Sequence, residues 1–219
     1  MLIFWVSILA LGILLYVLLY EFDLGIATLL GFARERAGHG GPMSTVAPAS
    51  DGNEMWLIVA GVVVCGVYRV VYATVLSALY LPFLLMLSGL ILRDVASECR
   101  SKTQRLRWVW NAAFSGGSIV AAFMQGLMVG ALIEGLIISR SKYTGDEFSW
   151  WSLFAAMCGA GGLCIGYALL GASWLVRKYA YYVRTSAYRL IPALSLGSLL
   201  ALVFAFVNSM AANLRLLTH

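Results

Sequence analysis

The 37 residues from Trp56 to Leu92 carry a single charge, that of Arg69. A helix crosses the hydrocarbon core of a bilayer in about 20 residues, so this run is too long for one crossing and about right for two. It reads as a transmembrane hairpin, turning near Tyr68 to Val71, where Arg69 interrupts the apolar sequence. A polar knot, Asp51-Gly52-Asn53-Glu54, stands at its entrance, and the basic stretch Arg93 to Arg107 stands at its exit. Both ends of the hairpin therefore lie on one side of the membrane. The whole chain agrees: with 62% apolar residues, 11% charged and a mean hydropathy of +0.88, it lies outside the range of soluble domains.

Four further crossings complete an all-α polytopic membrane protein of about six transmembrane helices. Residues 2–32 are apolar except for Glu21 and Asp23, and no small-residue cleavage site follows a short apolar core, so this segment reads as a retained helix rather than a signal peptide. The loop after it, Ala33 to Ser50, is rich in Gly and contains Pro42. Trp108 and Trp110 mark an interface ahead of a fourth helix, Ala112 to Ile138, whose Gly116, Gly117, Gly126 and Gly130 would let another helix approach closely. A polar loop, Arg140 to Glu147, leads to Trp150 and Trp151 and a fifth helix ending near Val176; a basic, tyrosine-rich stretch then precedes a sixth from Leu190 to Val207. The expected organisation is one four-helix bundle over residues 1–140 and a helix pair over 141–219.

Alternate loops collect 11 of the 15 basic residues on one face and four on the other. The positive-inside rule puts the richer face in the cytoplasm and both termini outside. The net charge of +5 is thus a property of the loops, and a nucleic-acid partner is not indicated. Cys65, Cys99, Cys158 and Cys164 show no metal-type pairing and read as buried free thiols.

The polar residues each have a plain reading and a functional one. Asp51 and Glu54 are spaced as a helix-capping pair. Glu21 and Asp23 lie at membrane depth, where carboxylates either mark proton paths or find a partner between helices. On a helix Tyr16, Tyr20 and Asp23 share one stripe, with both phenols able to bond the carboxyl, while Glu21 points about 200° away. Glu134 reads best as snorkelling outward beside Arg140. Trp56, following the polar knot, reads as an interfacial anchor. Haem iron is commonly held by His or Met. The two histidines, His39 and His219, fall in a loop and at the end of the chain, and Met86, Met124 and Met128 at helical spacing read as packing. No metal site is expected.

Several strings resemble subunit II of the cytochrome bd quinol oxidases: Asp51-Gly52-Asn53-Glu54-Met55-Trp56-Leu57-Ile58, the later Tyr80-Leu81-Pro82, the exit Leu92-Arg93-Asp94-Val95 through Arg100-Ser101-Lys102, and Phe22-Asp23-Leu24-Gly25, similar to that family's Gly-Phe-Asp-Leu-Gly signature. The likeness is sharp over residues 16–102 and fades after residue 126. It implies a haem-free subunit that braces a haem-bearing subunit I carrying two b-type haems and one d-type or b-type haem, with quinol as substrate and room for a structural quinone or a small accessory subunit. It further implies a cytoplasmic proton path through Asp51 and Asp23, with Glu54 and Glu21 as further carboxylates, Trp56 beside a dioxygen route, and Arg93, Arg100 and Lys102 as a cytoplasmic basic anchor. The setting would be a bacterial or archaeal plasma membrane. Two departures stand out: Tyr20-Glu21 replaces the family's acidic residue and glycine, and the chain has room for six helices where the family has eight.

The alternative is a six-helix proton-coupled transporter or half-transporter. Such folds repeat a pair of broken helices in two halves. The sequence shows neither a repeat nor a broken helix pair.

Overall fold

The computed structural model describes residues 2–32, 55–102, 107–134, 138–139, 142–143, 154–178 and 181–217. These form seven helices: α1 (Leu2–Phe32), α2 (Met55–Val67), α3 (Arg69–Ala78), α4 (Tyr80–Lys102), α5 (Arg107–Glu134), α6 (Phe154–Lys178) and α7 (Tyr181–Leu217). A two-residue antiparallel ladder, β1 (Ile138–Ser139) with β2 (Lys142–Tyr143), joins α5 to α6. Among the described residues five helices are long and apolar enough to cross a membrane, and α2 with α3, taken together as one bent pair, would make a sixth. The protein is therefore an all-α polytopic membrane protein.

The hairpin differs from two plain crossings. At Tyr68 the axis turns through 116°, so the break expected near Arg69 is a sharp bend followed by a separate ten-residue helix. A second break falls at Leu79, and Pro82 explains it. Without an amide hydrogen Pro82 cannot bond the Ala78 carbonyl, but it fits the first turn of a new helix. α3 packs on β2, which places the bend at the end of the bundle where α5 and α6 connect. The expectation that no helix is broken is thereby corrected, though among the described residues the bent pair has no counterpart elsewhere in the chain.

The direction of the helices follows from their contacts. Asp23 pairs with Arg93, while Tyr16, earlier on α1, clusters with Met86 and Leu90, earlier on α4. α1 and α4 are therefore parallel, and the chain between them must return across the membrane. α2 and α3 lie on that return, with Trp56 and Ala60 beside Gly12 of α1. At 13 residues, α2 spans about 20 Å and is short for a core of about 30 Å, so it does not cross alone.

Glycine sets the spacing of α1, α4, α5 and α6. A β-carbon on Gly25 would lie 1.8 Å from the Tyr167 carbonyl oxygen, and one on Gly171 would lie 2.4 Å from the Gly25 carbonyl carbon, so α1 and α6 touch backbone to backbone. Gly89 and Gly117 meet between α4 and α5, and Gly126 meets Gly159 and Ala160 between α5 and α6. Gly117, Gly126 and Gly130 thus serve the close approach read from the sequence, whereas a β-carbon on Gly116 would meet open space. α6 packs on α1 and α5 as well as on α7.

Two segments read as loops are helical. α4 continues through the basic stretch to Lys102, and α7 begins at Tyr181 and carries Pro192 inside it. Basic residues at a membrane surface keep their heads in water from a helix as well as from a loop, so charge alone did not mark these ends.

Candidate functional site

Within the four packed helices the polar side chains form two groups. The first joins α1 to α4. Asp23 is fully buried and Arg93 is 1% exposed; Nη2 of Arg93 donates to Oδ2 of Asp23, and the Arg93 guanidinium carbon lies 5.6 Å from the centre of the Phe114 ring. Arg93 can sit there because Gly117 faces its backbone: a β-carbon on Gly117 would come within 3.1 Å of the Arg93 amide nitrogen. One turn further along α1, Ser115 Oγ donates to the Ala27 carbonyl at 2.9 Å. Two charges removed from solvent are tolerated when each satisfies the other, and removing one partner alone costs about 3–5 kcal/mol.

The second group joins α1, α5 and α6. Gln125 donates through Nε2 to the Tyr16 hydroxyl and accepts at Oε1 from the Tyr167 hydroxyl, at 3.0 Å. All three side chains are buried. Tyr16 lies seven residues before Asp23, about 10 Å along the helix, so the two groups are stacked on one interior stripe of α1. A glutamine flanked by two phenols carries no net charge, but each member both donates and accepts. Such a set can orient a proton or a water without itself ionising.

The sequence-derived residues fare differently. Asp23 is at the centre of the first group. Arg93, expected in a cytoplasmic basic anchor, is instead an interior residue, because it occurs at the same helical stripe as Met86 and Leu90 and meets a buried carboxylate. Lys102 is exposed and bonds Glu98 at 2.7 Å; that hydrogen bond and the adjacent charge raise the Lys102 pKa. Trp56 is half-buried and packs against the cluster of Tyr16, Leu24 and Met86. Tyr16 bonds Gln125, in addition to whatever its place on the Asp23 stripe allows. Asp51 and Glu54 lie outside the described residues, as do the side chains of Glu21, Arg100 and Glu134, and both histidines or their loops.

Sequence reasoning missed Gln125, Tyr167 and the interior place of Arg93. A signal existed for two of them. Met86, Leu90 and Arg93 follow helical spacing, as do Phe114, Ser118, Ala121 and Gln125, and a polar residue on an apolar stripe is a candidate for an interhelical bond. Met86 is buried, and Met124 and Met128 pack against the same cluster. Among the described residues no group of three or more His, Cys, Asp or Glu converges as a metal would require. Cys65 is exposed rather than buried, and Cys99 and Cys164 are half-buried free thiols; Cys158 has no described side chain.

Parallel α1 and α4, glycine-tight packing and a buried Asp–Arg pair between them define a polytopic helical membrane protein with a polar interior. The family described as cytochrome bd terminal oxidase subunit II matches residues 1–218, and the chain belongs to it. A probable cytochrome oxidase subunit 2 of Haemophilus influenzae is 30% identical over 194 residues, covering 85% of this chain and 51% of that protein. The cytochrome bd-I ubiquinol oxidase subunit 2 of Escherichia coli K12 is 34% identical over 102 residues, 45% of this chain and 27% of that one. The cytochrome bd ubiquinol oxidase subunit 2 of Bacillus subtilis is 32% identical over 123 residues, 53% and 35% respectively. The chain spans about half the length, or less, of the curated relatives it matches.

Proposed function

We propose that this chain is the haem-free second subunit of a bd-type quinol:oxygen oxidoreductase, bracing a haem-bearing subunit I and supplying a cytoplasmic proton path for the reduction of oxygen to water. The observation that carries the reading is the family match along residues 1–218. Subunit I would hold the two b-type haems and the d-type or third b-type haem and would oxidise quinol. In this chain Met86, Met124 and Met128 pack in one apolar cluster. The complex would reside in a bacterial or archaeal plasma membrane, with the face rich in basic residues in the cytoplasm and both termini outside; moving Arg93 to the interior leaves that asymmetry intact.

In this reading protons enter at Asp51, beside Glu54, and Asp23 lies deeper. The buried Asp23–Arg93 pair supports a specific role for it. Arg93 holds one carboxylate oxygen and clamps α1 to α4, which fixes the Asp23 carboxylate on the interior stripe along which this path would run. The Tyr16–Gln125–Tyr167 set lies one step further along the same stripe. The transporter alternative needs a second broken helix pair, and among the described residues the bent pair at Tyr68 has no counterpart to support it.

Asp51→Asn tests the path. Asparagine caps a helix about as well as aspartate, so the complex should assemble. An amide carries no titratable proton near neutral pH. The variant should keep its haem spectra and lose turnover, increasingly so as proton supply falls. Full oxidase activity in the assembled variant across pH removes Asp51 from the path.

A further inference from the structure

The bend at Tyr68 opens a cavity of 380 Å³ between α1, α2, α3, α4 and α5, lined among others by Ile13, Gly61, Tyr72, Leu79, Phe83 and Met128. Its floor is buried at Leu79, while Ile13 and Tyr72 at its mouth are exposed. The volume is that of a small-ligand pocket. Every lining residue is apolar or aromatic, so water entering it would find almost no hydrogen-bond partner. Left empty, the walls would forfeit dispersion contacts. In a bilayer the material at hand to fill it is hydrocarbon.

One feature of α3 selects the kind of hydrocarbon. Tyr72 and Leu76 line the cavity, and Arg69 precedes them at i, i+3 and i+7, so a guanidinium stands on the same stripe of α3 one turn beyond the lining. Arg69 is exposed, and among the described residues it has no ion-pair partner. α3 packs on β2 at the end of the bundle, the level at which lipid headgroups lie. The geometry points to a phospholipid site: one acyl chain occupies the cavity under the bend, and its phosphate pairs with Arg69 on the rim. Apolar burial gives no driving force against other lipid, since lipid tails are as apolar as the cavity wall. Selectivity and residence come from close packing and from the charge-assisted guanidinium–phosphate bonds. The inference rests on the membrane-spanning fold and not on the oxidase reading.

Gly61 provides a clean test, because it lines the cavity and a β-carbon there would meet nothing within 4 Å. Protein extracted with its native assembly intact should retain about one phospholipid per chain through a delipidating detergent wash, read by native mass spectrometry. Gly61→Phe should lose that lipid, and Arg69→Gln should retain it weakly and without preference for anionic headgroups. In the unaltered protein, a phospholipid with a diazirine near the end of its tail should label Phe83 or Leu79. Equal retention by Gly61→Phe and the parent overturns the site. So does a retained isoprenoid lacking phosphate. If Gly61→Phe does not assemble, the labelling pattern decides: label confined to outward residues of α7 overturns the proposal, and label on the cavity floor sustains it.

Discussion

Helices α5 and α7 are both apolar enough to cross a membrane, yet 56% of the spanning window of α5 is buried and none of that of α7. The difference runs opposite to the rule for soluble proteins. The spanning part of α7 is the more apolar of the two, with Leu196, Leu199, Leu202 and Phe206 all exposed. α5 carries Gly117, Gly126, Ser115, Ser118 and Gln125 and is the interior helix. In lipid a leucine gains nothing from leaving its surroundings, so burial is driven by close backbone approach and by polar groups that need partners. Small and polar residues mark the inside here, and large apolar ones mark the outside.

The sharpest way to break that comparison is at Gly25. Gly25→Leu places a side chain where the Tyr167 carbonyl already stands, so α1 and α6 must separate and the folded protein should be lost, read as yield after detergent extraction. Gly161→Ala on α6, where a β-carbon meets nothing within 4 Å, is the control and should leave the yield at or above that of the parent. A stable Gly25→Leu protein would show that backbone contact does not hold these helices together.

The ion pair comes next. Arg93→Met or Asp23→Leu alone leaves one buried charge and should destabilise by about 3–5 kcal/mol in reversible unfolding, whereas the double variant should recover most of the loss. Additive losses would mean that the two charges do not depend on each other. Gln125→Leu, which removes one hydrogen-bond partner from each of the hydroxyls of Tyr16 and Tyr167, should cost about 1–3 kcal/mol by the same measurement. The smallest effect is expected on α7. Leu199→Val or Val203→Leu faces outward and should change stability by less than about 0.5 kcal/mol. A larger change would indicate that this face is covered in the assembled complex, which would sharpen the contrast with α5 into one between two kinds of interface.

How much of this was legible in the sequence varies by element. The long apolar runs sufficed for α1, α5, α6 and the centre of α7, because length and composition alone decide whether a helix can span. The bend at Tyr68 was legible only as an interruption at Arg69; that it becomes a 116° turn depends on where α3 finds a surface, and β2 supplies it. Asp23 was legible as an intramembrane carboxylate, but its partner was hidden in a basic stretch that reads as a surface anchor. Charge counts sum over a segment, whereas burial is decided residue by residue on a helical stripe, and Arg93 falls on the inner one. Gln125 and Tyr167 were passed over for a related reason: neither is charged, and an interhelical hydrogen bond leaves no trace in composition.

The most direct test is the haem balance of the assembled protein. A tagged form of this chain, solubilised from its own membrane, should bring down a second integral membrane protein, and all the haem should travel with that partner when the two are separated, leaving a reduced-minus-oxidised spectrum with b-type bands on the partner and none on this chain. Stoichiometric haem remaining on this chain after separation, or its purification without any haem-bearing membrane protein, would contradict its assignment as the haem-free second subunit.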